Sequence, residues 1–116
     1  MATIHEVVQA LARLPGVDAV LLLSDDGLPV HQAGAAVDAD ELAALTSTLV
    51  RATERLGSAT QRGAPQLAVV EYERGRAVLA PLRGGTSLLL LVSPDRNVGE
   101  LLFTLRQHAP AVAALV

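Results

Sequence analysis

Three histidines, a pair of aspartates, two serines and a glycine pair are the residues from which a reactive site could be built. His5, His31 and His108 are far apart, and no two share the i,i+4 or paired Cys/His spacing of a zinc site. Asp25-Asp26 could open a calcium loop, but the following positions lack the remaining oxygen ligands. Ser24 and Ser93 stand before turns, where hydroxyls bond their own backbone, and no G-x-S-x-G elbow surrounds either. Gly84-Gly85 sits between two strand-like runs, and neither G-x-x-x-x-G-K-[ST] nor G-x-G-x-x-G occurs, so it reads as a tight turn rather than a phosphate cradle. The expectation is a non-enzymatic protein with no metal and no cofactor, and not itself a GTPase or dinucleotide enzyme.

Composition narrows the choice further. The 116 residues are 51% hydrophobic and 18% charged, the profile of one folded domain spanning 1–116 rather than a disordered chain. Cysteine is absent, which excludes disulfides and thiol catalysis. All nine basic residues are arginine, so Schiff-base lysine chemistry is excluded too. With Tyr72 and Phe103 the only aromatic residues and a net charge of −3, there is neither a stacking platform nor a basic footprint for nucleic acid. Met1–Glu6 lacks the basic and apolar regions of a signal peptide, and no apolar run approaches the roughly 20 residues of a membrane span. A cytoplasmic location without membrane insertion is expected.

Three helices with their own start signals must position whatever surface does the work. Thr3 and Glu6 form a capping box, Ile4, Val7, Val8, Leu11 and Leu14 share a face, and Pro15-Gly16 stops the run. Asp38 with Glu41 opens a second helix lasting to Gly57, whose Leu42, Leu45, Leu49 and Leu56 read as the buried stripe. Asn97 with Glu100 opens a third, with Val98, Leu101, Leu102, Leu105 and Ala109 on one face until Pro110. Five strand-like runs lie between: Val17–Leu23, Leu28–Ala33, Leu67–Tyr72, Arg76–Leu82 and Thr86–Val92. Connections inside each block are too short for parallel crossovers. The expectation is a three-layer α/β/α sandwich in the order α-β-β-α-β-β-β-α, around a five-stranded antiparallel sheet.

The sheet edges carry information about partners. Pro29 lacks a backbone donor and suits an edge strand. The run Gln66–Tyr72 falls at the other edge with neither proline nor lysine, an adhesive template that a second copy of the chain would cover in a two-fold dimer. The face of the second helix opposite its leucines carries Asp40, Glu41, Ala44, Ser47, Thr48, Arg51, Glu54 and Arg55. Its small residues admit a close backbone, and its arginines suit an interface.

Two stretches carry a family resemblance. Val17-Asp18-Ala19-Val20-Leu21-Leu22-Leu23-Ser24-Asp25-Asp26-Gly27-Leu28-Pro29-Val30 resembles the opening of the Roadblock/dynein-light-chain family, and Ser93-Pro94-Asp95-Arg96-Asn97-Val98-Gly99 resembles that family's entry into its last helix. The element order matches along essentially the whole chain, and the bacterial, MglB-like branch is the most similar. The resemblance implies a Roadblock/longin-like fold and a homodimer. The third strands would pair through Leu67, Val69 and Glu71, and the second helices would meet near Ala44 and Thr48. It further implies a non-enzymatic platform for a small Ras-like GTPase, docked on Asp40, Ala44, Ser47, Arg51 and Arg55. Stimulation of GTP hydrolysis would come by remodelling the GTPase's own switch regions, without a donated arginine. The alternatives are a scaffold module that dimerises without touching a GTPase, and a small-molecule sensor with an internal apolar cavity.

Overall fold

The computed structural model describes residues 3–95 and 98–115, with the side chains of these except at 83, 98 and 108–115. Its elements are α1 (Ile4–Ala12), β1 (Val17–Leu23), β2 (Pro29–Gly34), α2 (Ala39–Ala59), β3 (Ala68–Tyr72), β4 (Gly75–Pro81), β5 (Ser87–Val92) and α3 (Val98–Leu115), with a short 3-10 turn at Arg83–Gly85. All strand pairs are antiparallel and the order across the sheet is β2-β1-β5-β4-β3. The proline-bearing strand and the first strand of the meander are therefore the two edges, as their sequences imply.

Local chemistry explains where the helices start. Thr3 and Glu6 satisfy each other's backbone donors in a reciprocal cap on α1, and the Asp38 carboxylate accepts from Glu41 N at 3.2 Å on α2. The expected cap of α3 at Asn97 lies outside the described residues. Its end differs from expectation, since the helix continues through Pro110 to Leu115. Proline there removes one intrahelical donor, and the alanine-rich Ala111–Leu115 run has the propensity to continue around it.

The end of α2 also differs from expectation, because Gly57 is inside the helix. A β-carbon at Gly57 would lie 2.1 Å from the Gly63 carbonyl oxygen, so the glycine admits the α2–β3 connection against the helix rather than ending it. Arg62 N donates to the Gly57 carbonyl at 2.8 Å in that fold-back. The helix closes two residues later, with Thr60 donating its hydroxyl to Leu56 O at 2.7 Å.

The core is divided by the sheet. On one side Val7, Val8 and Leu11 of α1 and Leu101 and Leu105 of α3 pack on Val20, Leu22, Val78, Leu88, Leu90 and Val92. On the other, α2 covers a smaller cluster of Leu21, Leu23, Ala43 and Leu89. Strands β1 and β5 are apolar toward both layers because both of their faces are covered. The result is the expected α/β/α sandwich, with α1 and α3 on one face and α2 alone on the other. Leu22 is fully buried in the larger cluster. The substitution Leu22→Ala is expected to cost about 2–5 kcal/mol in urea unfolding, the range for a fully buried leucine.

Candidate functional site

The exposed surface of α2 is set by how the helix meets the sheet. Its buried residues are Ala43, Thr46 and Ser47, all small. A β-carbon at Gly27, where φ is +80°, would come within 3.2 Å of Ser47 Cβ, so helix and β1–β2 turn approach as closely as side chains permit. Arg51 reaches the same turn, its Nη2 standing 3.5 Å from the Asp25 carbonyl oxygen. Leucines do not fit so narrow a gap. Leu45 and Leu56 are 60% and 65% exposed and Leu49 is 39% exposed, whereas Leu42 remains half-buried.

This reverses the expected burial of α2. Of the four leucines read as its core stripe, Leu45, Leu49 and Leu56 face outward and only Leu42 packs on the cluster beneath the helix, while Ser47, read as a docking residue, faces the sheet. At about 100° per residue, Leu45, Leu49, Ala52 and Leu56 fall within one narrow strip, roughly 140° around the helix from the buried Ala43, Thr46 and Ser47. Their spacings of four, three and four are those of a coiled-coil seam. An apolar stripe in the sequence does not say which neighbour covers it.

The remaining candidate docking residues, Asp40, Ala44, Arg51 and Arg55, form a separate polar flank together with Thr48, a candidate dimer residue. All five are exposed, and the Thr48 hydroxyl donates to Ala44 O at 3.2 Å. They run along the helix beside the leucine seam, spanning about 22 Å from Asp40 to Arg55 at the usual helical rise. α2 thus presents two adjacent outward surfaces, one apolar and one charged.

At the β3 edge the register decides which side chains share a face. Val69 pairs with Val78, which belongs to the α1/α3 side, so Leu67, Val69 and Glu71 project toward that layer. Leu67 is half-buried there, Val69 is partly exposed, and Glu71 accepts from Arg76 Nε at 3.1 Å. Ala68, Val70 and Tyr72 occupy the face that α2 covers. The candidate dimer residues therefore divide between the two faces of the sheet. What joins them is the outer row of β3 backbone groups, which has no neighbouring strand among the described residues.

The residues with chemical potential are placed otherwise. Ser24 bonds Asp26 and closes its own turn by accepting from Leu28 N at 3.2 Å. The β-strand register brings His31 beneath α1, where its ring centroid lies 5.6 Å from that of His5, a proximity invisible in the sequence. His5 Nε2 also meets Gln9 Nε2 at 3.2 Å. Among the described residues no three His, Cys, Asp or Glu side chains converge as metal ligands. No helix among them is long and apolar enough to cross a membrane.

An antiparallel sheet covered by helices on both faces, with one open apolar edge and a seam of exposed leucines, defines an interaction module. The Roadblock/LC7 domain family matches residues 3–92, and the chain belongs to that family. A direct comparison with curated protein sequences gives no match. Among solved structures, MglB of Myxococcus xanthus superposes with a TM-score of 0.90 at 17% identity, over 97% of this chain and 93% of its own. A Roadblock/LC7 domain from Streptomyces avermitilis gives 0.86 at 25% identity, over 96% and 95%. The gliding protein MglB from Thermus thermophilus gives 0.87 at 19% identity, over 99% and 92%.

The inverted burial of α2 has a direct check. Ser47→Leu is expected to overpack the helix–turn contact and cost about 1–3 kcal/mol in chemical unfolding. Thr48→Leu, one residue along and exposed, should stay within about 0.5 kcal/mol.

Proposed function

We propose that this chain is a homodimeric Roadblock-type regulator that binds a small Ras-like GTPase and stimulates its hydrolysis of GTP. The observation that carries the first half is the leucine seam of α2, since Leu45, Leu49 and Leu56 stay exposed among the described residues. A second copy supplies the missing surface in a two-fold arrangement, α2 against α2, with β3 extending the sheet edge to edge. Self-association also occurs in a structural neighbour, an MglB with a tetrameric arrangement, which superposes at a TM-score of 0.87 and 20% identity.

The GTPase follows from the family resemblance and from the polar flank it leaves free. Once the leucines are paired, the two flanks of Asp40, Ala44, Thr48, Arg51 and Arg55 lie side by side on one broad surface. Arginines of this kind pair bidentately with acidic side chains of a partner. In this reading the protein works by holding the partner's switch regions in a competent arrangement, and its own side chains take no part in bond making.

Two measurements test the halves separately. The double substitution Leu45→Glu/Leu49→Glu is expected to convert a dimer to a folded monomer in sedimentation velocity, with the far-ultraviolet circular dichroism unchanged. A monomeric parent protein at micromolar concentration would refute the dimer. For the second half, the protein is titrated against a small Ras-like GTPase loaded with GDP or a non-hydrolysable GTP analogue. Tighter binding of the GTP form is expected, with Arg51→Glu/Arg55→Glu weakening it at least about tenfold. Arg51→Ala should reduce stimulated hydrolysis by far less than the roughly 10³-fold or more lost with an arginine finger. A stable dimer that binds neither form would leave the scaffold alternative.

A further inference from the structure

At one end of the sheet the β1–β2 turn, the second half of α2, the α2–β3 connection and the β4–β5 turn converge around a half-open cleft of about 640 Å³. That volume lies within the usual range for small-ligand sites. It is not the internal apolar cavity a small-molecule sensor was expected to have, since charged groups of both signs reach it. Asp25 and Glu54 contribute carboxylates and Arg62 a guanidinium, with Pro65 and Leu82 among the apolar walls.

Several details mark the cleft as more than a gap between loops. Among the described residues neither carboxylate nor Arg62 takes part in an ion pair, although all three line the same space. Thr86 also lines it, and its Oγ1 is buried without any hydrogen-bond partner. A buried hydroxyl left without a partner is destabilising, and a hydrogen bond to a bound polar group would relieve it. Gly85 holds the site's shape, because at φ +87° a β-carbon there would press within 2.8 Å of Asp25 Cβ.

Charge narrows the class of ligand. A simple anion would face two carboxylates, and a simple cation would face Arg62. A molecule carrying both charges satisfies both signs, and its remaining atoms meet the proline and leucine walls. We propose that this cleft binds a small zwitterion of the α-amino-acid class, its carboxylate on Arg62 and its ammonium on Asp25 and Glu54, with Thr86 hydrogen-bonding to one of its polar groups.

The test is calorimetric titration of the protein with the common L-amino acids, followed by the N-acetyl and amide derivatives of any that bind. Saturable binding is expected, weakened at least about tenfold when either charge is removed. Thr86→Val is expected to raise the melting temperature of the free protein, by removing the orphaned hydroxyl, while weakening binding about tenfold. Arg62→Ala and Glu54→Gln should weaken binding with the circular dichroism spectrum retained. No saturable binding by any amino acid at about 10 mM would overturn the proposal. So would binding undiminished in both Thr86→Val and Arg62→Ala. The titration requires no GTPase, so its failure leaves the regulator reading intact, and the reverse also holds.

Discussion

The close contact between α2 and the sheet governs what this protein shows to its surroundings. Ala43, Thr46 and Ser47 fill the gap, and Gly27 of the β1–β2 turn lies directly against Ala43 and Ser47. Where the helix is held this near only small side chains are fully buried, so Leu45, Leu49 and Leu56 turn outward and Leu42, nearer the helix start, is the one leucine of the stripe that packs on the sheet. The cluster beneath α2 is correspondingly small, built on Leu21, Leu23, Ala43 and Leu89, whereas α1 and α3 together seal the opposite face. Burial is thus divided unequally between the two outer layers of the same sandwich. One layer holds the fold, and the other is left unfinished on its outer side.

That division explains what the sequence made legible. Element order, antiparallel pairing and the two edge strands followed from turn chemistry and from Pro29, because these depend on residues adjacent in the chain. The caps at Thr3 and Asp38 were legible for the same reason. The orientation of α2 was not, since an apolar stripe records that a face is covered without saying by what. Leu45, Leu49 and Leu56 have the pattern of core residues, and only the approach of Gly27 to Ser47 shows that the sheet takes the adjacent face. Gly57 misled for a related reason, its small size being needed by a returning loop at Gly63 rather than by a helix end.

The candidate site shows the same limit. Asp40, Ala44, Thr48, Arg51 and Arg55 were legible as an exposed flank, but Ser47 at the same helical spacing is buried. The β3 residues alternate between faces, so Leu67, Val69 and Glu71 cannot share a side-chain surface with Ala44 and Thr48 on α2. Their common property is the unpaired strand edge beside them, a feature of backbone rather than of residue type. The cleft around Thr86 joins four segments distant in sequence, and nothing local announces it. Membership of the Roadblock/LC7 family fits a fold whose chemistry resides in its surfaces.

The central claim is that the unpaired side of β3 is paired in solution by a second copy. Hydrogen exchange measured across protein concentration addresses it at single-residue level. The account predicts that amides of Ala68–Tyr72 not bonded to β4 exchange slowly at high concentration and become exposed on dilution, while those of β5 stay protected throughout. Equal and rapid exchange of the outer β3 amides at every concentration would contradict it.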